Sequence, residues 1–435
     1  MVLEMRKMKD IGIEWIREIP EEWKIVRLKY LADFEPSCDT SSLTAESKIT
    51  YTPMECIKNS SFENRSAFYG NLSHMLTPFQ NGDIAMAKVT PCFENGNIAI
   101  MNNLFSGFGL GSSELFIFRT KSISTRYLFY WLQNKAFVAK ACSAMTGTGG
   151  LKRISPTFIR NCPVHCPPAD EQDKLSDYLD AKCSEINVLL SKARSSIEEY
   201  KKLKQAIITQ AVTKGVRGER KIKDSGIEWI GKIPREWGQP KIKMVASFFN
   251  GDRTSRYPQP ADFVDDGVAF LTSRNIDGDE VNLSEAKYIT ENKYNSLSGA
   301  KIQINDIIFC LRGSVGKCAI NQILSCGTVA SSLATIRPNG VCPKYLLYFL
   351  LSNIASTQTA IFMNGTCAAN LSAENVANYY ITLPSSTEQK EIADYLDAKC
   401  TEIDKLIAKK EQLVKELESY KKSLIYEVVT GKREV

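Results

Sequence analysis

The chain has 435 residues, of which 43% are hydrophobic and 24% are charged, and its formal net charge is +6. This length holds two or three domains of ordinary size, and the composition is that of a globular protein. No apolar run reaches the length of a signal peptide or a membrane span, so we expect a cytoplasmic protein with no membrane partner. The mildly basic balance permits nucleic-acid binding without requiring it.

The thirteen cysteines are scattered without a Cys-x-x-Cys pair, and the two histidines are His74 and His165. Zinc sites usually combine closely spaced pairs of Cys and His, a pattern that this sequence lacks. We therefore predict reduced and mostly buried thiols, and no metal site.

Two passages of the sequence occur twice. Residues 10–23, DIGIEWIREIPEEW, return as residues 224–237, DSGIEWIGKIPREW, with ten of fourteen positions identical. Residues 171–186, EQDKLSDYLDAKCSEI, return as residues 388–403, EQKEIADYLDAKCTEI, with eleven of sixteen identical. Solenoid repeats are only roughly 20–50 residues long, so this spacing indicates a duplicated domain. The first passage, rich in Trp and Ile, is predicted to brace the entrance of each domain.

The stretches between these passages hardly resemble each other, yet both predict an α+β fold. Short alternating or apolar runs separated by Gly, Asn and Asp are typical of strands and turns. The clearest predicted strands are residues 98–101, 114–118, 301–310 and 329–336. One helix is predicted in each stretch, at residues 127–140 and 344–356.

The second passage of each repeat begins a long amphipathic helix, near residues 171–213 and 388–430, ended by Gly215 and Gly431. Apolar residues recur at three-four spacing, as in a coiled-coil seam. Neither helix can bury this stripe alone, so we predict that the two form an antiparallel coiled coil. The predicted division is residues 1–168 and 218–384 for the two domains, with the helices at residues 169–217 and 385–435.

Several motifs that resemble catalytic sites fail on their context. The Gly-x-Gly-x-Gly run at residues 107–111 precedes a predicted strand rather than a helix, and residues 313–318, GSVGKC, fall short of a phosphate-binding loop. Asp279, Glu285 and Lys287 imitate a nuclease site but lie in a polar stretch that looks like a surface turn. The Asn/Asp-Pro-Pro-aromatic motif of adenine methyltransferases is missing. We therefore predict a chain with no catalytic residues.

Polar loops at similar places in both halves are better suited to binding DNA. Arg and Lys pair with phosphates or guanine, whereas Asn reads adenine, and glycines allow close backbone approach. Taken singly, each loop is better explained as a solvated turn, whereas recurrence at matching places in both halves makes DNA binding an equally good explanation. The candidate DNA-binding residues are Lys88, Thr90, Asn95, Lys152, Arg153, Arg253, Thr254, Arg274, Asn275, Arg312, Ser314, Lys317, Asn364 and Thr366.

The chain resembles the specificity subunit of type I restriction–modification systems. The resemblance covers nearly the whole length. It rests on the doubled GIEWIxxIPxEW passage, on residues 82–100, GDIAMAKVTPCFENGNIAI, and on the two EQxxxxDYLDAKCxEI helices that end in ITQAVTKG and IYEVVTGK.

The resemblance implies that each variable stretch is a target-recognition domain that reads one half of a bipartite, asymmetric site in double-stranded DNA. It also implies that the paired helices set the unread spacer and that the chain docks two modification subunits. S-adenosylmethionine, ATP and magnesium would then belong to the modification and restriction subunits, with no cofactor in this chain. The alternatives are a coiled-coil scaffold without a DNA role, or a fused DNA methyltransferase.

Overall fold

The computed structural model describes residues 6–58, 60–73, 75–147, 150–363 and 370–435. The chain divides into two compact units. Unit 1 comprises Met1–Arg194 and Gln412–Val435, and unit 2 comprises Ser195–Glu411. Each long helix therefore contributes one segment to each unit.

The first half of the chain alternates short strands and short helices before its long helix. Its strands are β1 Met8–Asp10, β2 Glu18–Pro20, β3 Lys24–Arg27, β4 Ala32–Phe34, β5 Lys48–Thr52, β6 Ile57–Lys58, β7 Ser61–Phe62, β8 Arg65–Phe68, β9 Thr77–Gln80, β10 Asp83–Ala87, β11 Ile98–Met101, β12 Phe108–Gly111, β13 Leu115–Thr120 and β14 Pro163–Cys166. Its helices are α1 Leu28–Leu31, α2 Thr125–Trp131, α3 Lys135–Ser143, α4 Pro156–Asn161 and α5 Ala169–Lys214.

The second half repeats this alternation. Its strands are β15 Ile222–Asp224, β16 Lys232–Pro234, β17 Ala246–Asn250, β18 Phe263–Val264, β19 Val268–Leu271, β20 Ile276–Asp277, β21 Glu280–Val281, β22 Lys287–Ile289, β23 Ile307–Cys310, β24 Cys318–Ile320, β25 Thr328–Val329 and β26 Leu333–Pro338. Its helices are α6 Glu291–Ser296, α7 Pro343–Leu351, α8 Asn353–Phe362, α9 Ala373–Ala377 and α10 Ser386–Val429.

The two units share a strand order that their sequences do not reveal. The main sheet of unit 1 has the order β4-β13-β10-β11, and that of unit 2 begins β17-β26-β23-β24 before adding β21 and β20. In the second sheet, the order β8-β5-β12 of unit 1 matches β22-β19-β25 of unit 2. In both, one pair is parallel, β5 with β12 and β19 with β25. The duplication therefore includes the divergent stretches, and the predicted α+β class with two similar domains is confirmed.

The prediction of one helix at residues 127–140 and one at residues 344–356 is wrong. The structure has two short helices in each unit, α2 and α3 in unit 1 and α7 and α8 in unit 2. The second helix of each pair has its own N-cap: the Asn134 side chain accepts from the backbone N–H of Phe137, and the Ser352 side chain from that of Ala355. Because an N-cap residue adopts an extended backbone, it ends the preceding helix.

The two long helices begin and end within two residues of the predicted positions. In each unit their segments lie antiparallel, because partner numbers fall as residue numbers rise. In unit 1, Asn187 contacts Lys421 at 2.9 Å and Arg194 contacts Glu418 at 2.6 Å. In unit 2, Lys204 contacts Asp404 at 2.6 Å, and Arg217, just beyond α5, contacts Glu391 at 2.8 Å.

Candidate nucleic-acid interface

In unit 1, two predicted loops join each other beyond the end of β10. An isolated antiparallel bridge pairs Val89 with Arg153. The Thr90 hydroxyl donates to the carbonyl of Gly150 at 3.0 Å and accepts from the backbone N–H of Lys152 at 2.9 Å. The structure therefore places Lys88, Thr90, Lys152 and Arg153 together.

The exposed side chain of Arg153 lies against Glu114. Its Nε and Nη2 donate to the two carboxylate oxygens of Glu114 at 3.0 and 2.7 Å. The hydrogen bonds from Arg153 lower the pKa of the Glu114 carboxyl. Lys88 lies on the other side, with its backbone N–H on the Glu114 carbonyl at 3.0 Å and its ammonium 5.5 Å from the centre of the Phe116 ring. Asn95, in the same loop as Lys88, is exposed.

In unit 2, three loops meet at the turn formed by residues 330–332, between β25 and β26. The backbone of Leu271 accepts from the N–H of Ala330, and the N–H of Leu311 donates to Ser332. The Arg253 side chain donates from Nε to the carbonyl of Ser331 at 3.3 Å.

Two further predicted arginines follow these anchor points. Arg312 comes directly after Leu311, and Arg274 comes three residues after Leu271. The side chains of Arg253, Arg274 and Arg312 are all exposed. The turn at residues 330–332 therefore joins three loops whose predicted cations are up to 59 residues apart in sequence, from 253 to 312.

An isolated bridge in unit 2 pairs Arg312 with Asn370, and the Arg312 Nε donates to Asn370 Oδ1 at 2.8 Å. Ser314 and Lys317 are exposed in the tight turn that joins β23 to β24. Two predicted residues lie outside the described part of the chain: Asn364 and Thr366.

Three uncharged residues of the predicted DNA-binding set use their side-chain polar atoms within the fold. Asn275 is 1% exposed, and its amide accepts from the N–H of Thr272 and donates to the carbonyl of Asn282. We therefore withdraw Asn275 from the set, since an amide used in this way cannot read a base. Thr90 is also buried and holds its two loops together. Thr254 donates to Asp252 at 2.6 Å in a local turn.

Two neighbours of the predicted arginines were missed by sequence reasoning. Glu114 and Asn370 hold Arg153 and Arg312 in place, but a search for cations passes over an acidic and a neutral residue. Asn370 belongs to a predicted loop and was available to the sequence argument. Glu114 follows Ser112 and Ser113, which align with Ser331 and Ser332 of the second half. This alignment was the only sequence feature that could have indicated a role for Glu114 in the site.

The motifs set aside on their context have structural roles. Gly109 and Gly111 lie in β12, which is followed by strand β13 as predicted. A Cβ atom on Gly109 would come within 2.3 Å of the Phe79 ring, so this glycine is required for packing. Asp279 lies in the turn between β20 and β21, whereas Lys287 lies in β22 with its ammonium 5.0 Å from the centre of the Phe263 ring.

One protein family matches both halves of the chain. The model for the type I restriction modification DNA specificity domain matches residues 20–199 and again residues 234–418. The chain belongs to this family. Each match covers one variable stretch and the first part of the long helix that follows it, so the family domain is present twice.

Curated specificity-domain relatives are similar over part or all of the chain. The type I restriction enzyme EcoAI specificity subunit of Escherichia coli is 32% identical over 197 residues, which make up 44% of this chain and 33% of that protein. The putative type I restriction enzyme MjaX specificity subunit of Methanocaldococcus jannaschii is 25% identical over 451 residues, covering 99% of this chain and 98% of that protein. The match therefore spans only a third of the first relative but nearly all of the second.

A solved structure from work on complex assembly and conformational transition of the type I R-M system shares the specificity-domain fold. It has a TM-score of 0.72 at 15% identity and covers 95% of this chain and 99% of that chain. Among the described residues, no helix is both long and apolar enough to cross a membrane.

Proposed function

We propose that this chain is the sequence-specific DNA-binding subunit of a type I restriction–modification complex. Unit 1 and unit 2 each read one half of a bipartite, asymmetric target in double-stranded DNA. The chain binds and positions DNA and carries no catalytic residues. Family membership and the loops of the two units support this proposal together.

One observation carries the proposal: the loops that carry the predicted cations meet at corresponding places in both units. In unit 1 they surround the turn between β12 and β13, and in unit 2 the turn between β25 and β26. Both turns follow the strand that is paired in parallel in the second sheet. Equivalent backbone positions with different side chains suit two unlike half-sites, because base edges are distinguished by the donors and acceptors presented to them.

Partner subunits supply the chemistry in this proposal. Two modification subunits bring S-adenosylmethionine and transfer methyl groups, and restriction subunits bring ATP-driven cleavage with magnesium. The complex works in the cytoplasm, where its DNA substrate lies. The names of the relatives and the type I R-M structure support these assignments.

The long helices are proposed to fix the length of the unread spacer. Their matched lengths, 46 residues for α5 and 44 for α10, support this role. The antiparallel contacts within each unit also require that a change in one helix be matched in the other.

Duplex binding by the purified chain, measured across a range of salt concentrations, tests the proposal. Contacts to phosphates predict that the logarithm of the affinity falls linearly with the logarithm of the salt concentration, by roughly 0.9 per neutralised phosphate. A scaffold without a DNA role would show no such dependence. Replacing residues 224–384 with the matching part of another family member should change one half-site and leave the other unchanged. If both half-sites stay as they were, the assignment of units to half-sites is wrong.

A further inference from the structure

One isolated bridge in each unit, Val89 with Arg153 and Arg312 with Asn370, occupies a corresponding position. Val89 and Arg312 each lie two residues after the end of a central strand, β10 in unit 1 and β23 in unit 2. Their partners, Arg153 and Asn370, each lie two residues before the N-cap of a short helix, α4 or α9. Each bridge thus contains one arginine. In unit 1 it is the bridge residue that precedes the short helix, and in unit 2 it is the bridge residue that follows the central strand.

Both arginines are held by the same edge of the guanidinium group. Arg153 uses Nε and Nη2 to contact Glu114, and Arg312 uses Nε to contact Asn370 Oδ1. A guanidinium group also has an end edge, formed by Nη1 and the outer hydrogen of Nη2. No residue in the described part of the chain accepts a hydrogen bond from Nη1 of either arginine. Both side chains are exposed.

Other paired arginines of the two units differ at this end edge. The Nη1 of Arg119 donates to the carbonyl of Ser37, and the Nη1 of Arg65 lies 3.6 Å from Glu55. Arg337 is held by Asp306 and by a backbone carbonyl, with its Nη2 used twice. Arg217, by contrast, makes the same contacts as Arg153 and has no described partner for its Nη1. A free end edge therefore does not by itself distinguish Arg153 and Arg312, and their place in the two bridges does.

A free end edge matches the major-groove edge of guanine. Guanine presents O6 and N7 there as two neighbouring acceptors, and an arginine with two parallel donors contacts both. A phosphate would be the alternative partner. For Arg153 the carboxylate of Glu114 disfavours a phosphate partner, because a DNA phosphate bound there would be repelled by this second negative charge.

We infer that Arg153 and Arg312 each read a guanine, one in each half of the DNA target. This inference rests on the proposed function and adds to it the base that these two residues recognise. Glu114 and Asn370 are positioning residues, which fix the side chains before DNA arrives. Fixing them lowers the conformational entropy that binding must remove.

The test begins with selection of bound sequences by the full chain from a pool of random duplexes. The expected result is a bipartite motif with a guanine in each half. Arg153→Ala should remove the preference for guanine at one position of one half-site, and Arg312→Ala at one position of the other. The preference should fall by roughly 5- to 150-fold, the range for a bidentate arginine–guanine contact.

Modified bases then separate major-groove reading from other effects. Placing 7-deazaguanine at that position removes N7 and should weaken binding by the wild-type chain but not by the Arg153→Ala variant. Inosine keeps O6 and N7 and should bind as guanine does. Arg153→Lys keeps the charge but replaces the rigid pair of donors with a flexible ammonium group, so the preference for guanine should weaken while binding to unrelated sequences is retained.

Arg217 provides a matched control. It makes the same two contacts with Glu391, at 2.8 and 2.9 Å, and its side chain is 49% exposed, as is that of Arg153. It lies just after α5 and contacts α10 rather than a loop of either bridge, so Arg217→Ala should leave the motif unchanged. A bipartite motif that survives Arg153→Ala and Arg312→Ala unaltered would overturn this inference alone. Failure to enrich any sequence would overturn the proposed function with it.

Discussion

The indole Nε1 of Trp23 donates a 2.9 Å hydrogen bond to Oε2 of Glu171. Trp23 ends the first repeated passage, and Glu171 begins the second. Unit 2 has the same contact, from Trp237 to Glu388 at 3.0 Å. The two duplicated passages therefore contact each other in both halves. This contact joins the entrance of each unit to the start of the long helix that follows it.

An arginine completes this contact in both units. Arg6 lies over the Trp23 ring and contacts Glu171 at 2.6 Å, as Arg220 lies over Trp237 and contacts Glu388 at 2.5 Å. In unit 1, α10 ends close to this contact. Gly431 follows its last turn and packs so tightly on Pro20 that a Cβ atom there would lie only 2.3 Å away. Gly215 ends α5 beside Trp237 in the same way in unit 2.

We predict that Glu388→Ala strongly destabilises the chain. Glu388 is 2% exposed, and its loss would leave a buried indole N–H without an acceptor and Arg220 with only one of its two carboxylate partners, Glu236. Breaking a buried charged contact of this kind costs about 3 kcal/mol. The midpoint of urea unfolding should fall accordingly.

Glu402→Ala is the matched control for this prediction. Glu402 lies on the same helix and pairs with Lys399 three residues earlier, but its side chain is 63% exposed. Exposed pairs of this kind contribute less than about 1 kcal/mol. Equal shifts of the two variants would show that the contact with Trp237 adds nothing to stability.

His165 should make unit 1 sensitive to acid. It is 1% exposed, and its Nδ1 lies 3.2 Å from the carbonyl of Val429 at the end of α10. Burial, with a smaller contribution from Lys432, lowers its pKa to about 4, although the Val429 carbonyl opposes this shift. Since the unfolded chain takes up a proton near pH 6.5 and the folded chain does not, stability is lost as the pH falls from about 6.5 towards 4.

The His165 contribution should amount to about 2 kcal/mol between pH 7 and pH 5. Thr382 occupies the corresponding position of unit 2, where its hydroxyl donates to the carbonyl of Val212. The variant His165→Thr therefore keeps a donor and removes the titrating group. Unfolding free energies at both pH values should show a smaller loss for the variant. Identical losses for both chains would exclude His165 as the source.

Sequence periodicity located the long helices because their apolar spacing persists over more than forty residues. It did not reveal the break between α2 and α3, since Asn134 sits inside a run that is otherwise apolar on one face. Strand order was also beyond its reach, because alternation shows which residues form a strand and not which strand lies beside it. The pairing of Trp23 with Glu171 depends on such long-range topology.

The candidate site was predicted in part for the same reason. Lys152 and Arg153 were found from loop composition and glycine content, and the structure brings them to Lys88. Asn275 had the same composition around it, yet its amide completes a capping turn within the fold. Whether a polar side chain faces solvent depends on local hydrogen bonds that composition does not encode.

Thr90→Val should weaken recognition of one half-site and lower the free energy of unfolding by about 2 kcal/mol. Valine keeps the branched shape but removes both hydrogen bonds that join the two loops of unit 1. Each such bond contributes about 1 kcal/mol, so the loop that carries Lys152 and Arg153 becomes less ordered. Binding to targets altered in either half-site would show the effect. A variant that discriminates in both halves like the wild type would show that this join does not matter for recognition.

The last prediction concerns the helices and the DNA spacer. Inserting seven residues into both α5 and α10, after Arg194 and after Glu411, keeps the apolar seam in register and adds about 10 Å to each helix at roughly 1.5 Å per residue. At about 3.4 Å per base pair, this corresponds to a spacer longer by roughly three base pairs. Those base pairs also turn the second half-site by more than a quarter of a turn, since one turn takes about 10 base pairs, so affinity should fall somewhat.

Extending only one helix should be more damaging, because the antiparallel contacts within each unit, such as Asn187 with Lys421 and Lys204 with Asp404, would no longer match. Selection from random duplexes should return the same two half-sites at the longer spacing for the double insertion. A double-insertion chain that still prefers the original spacing with full affinity would show that the lengths of these helices do not determine the spacer.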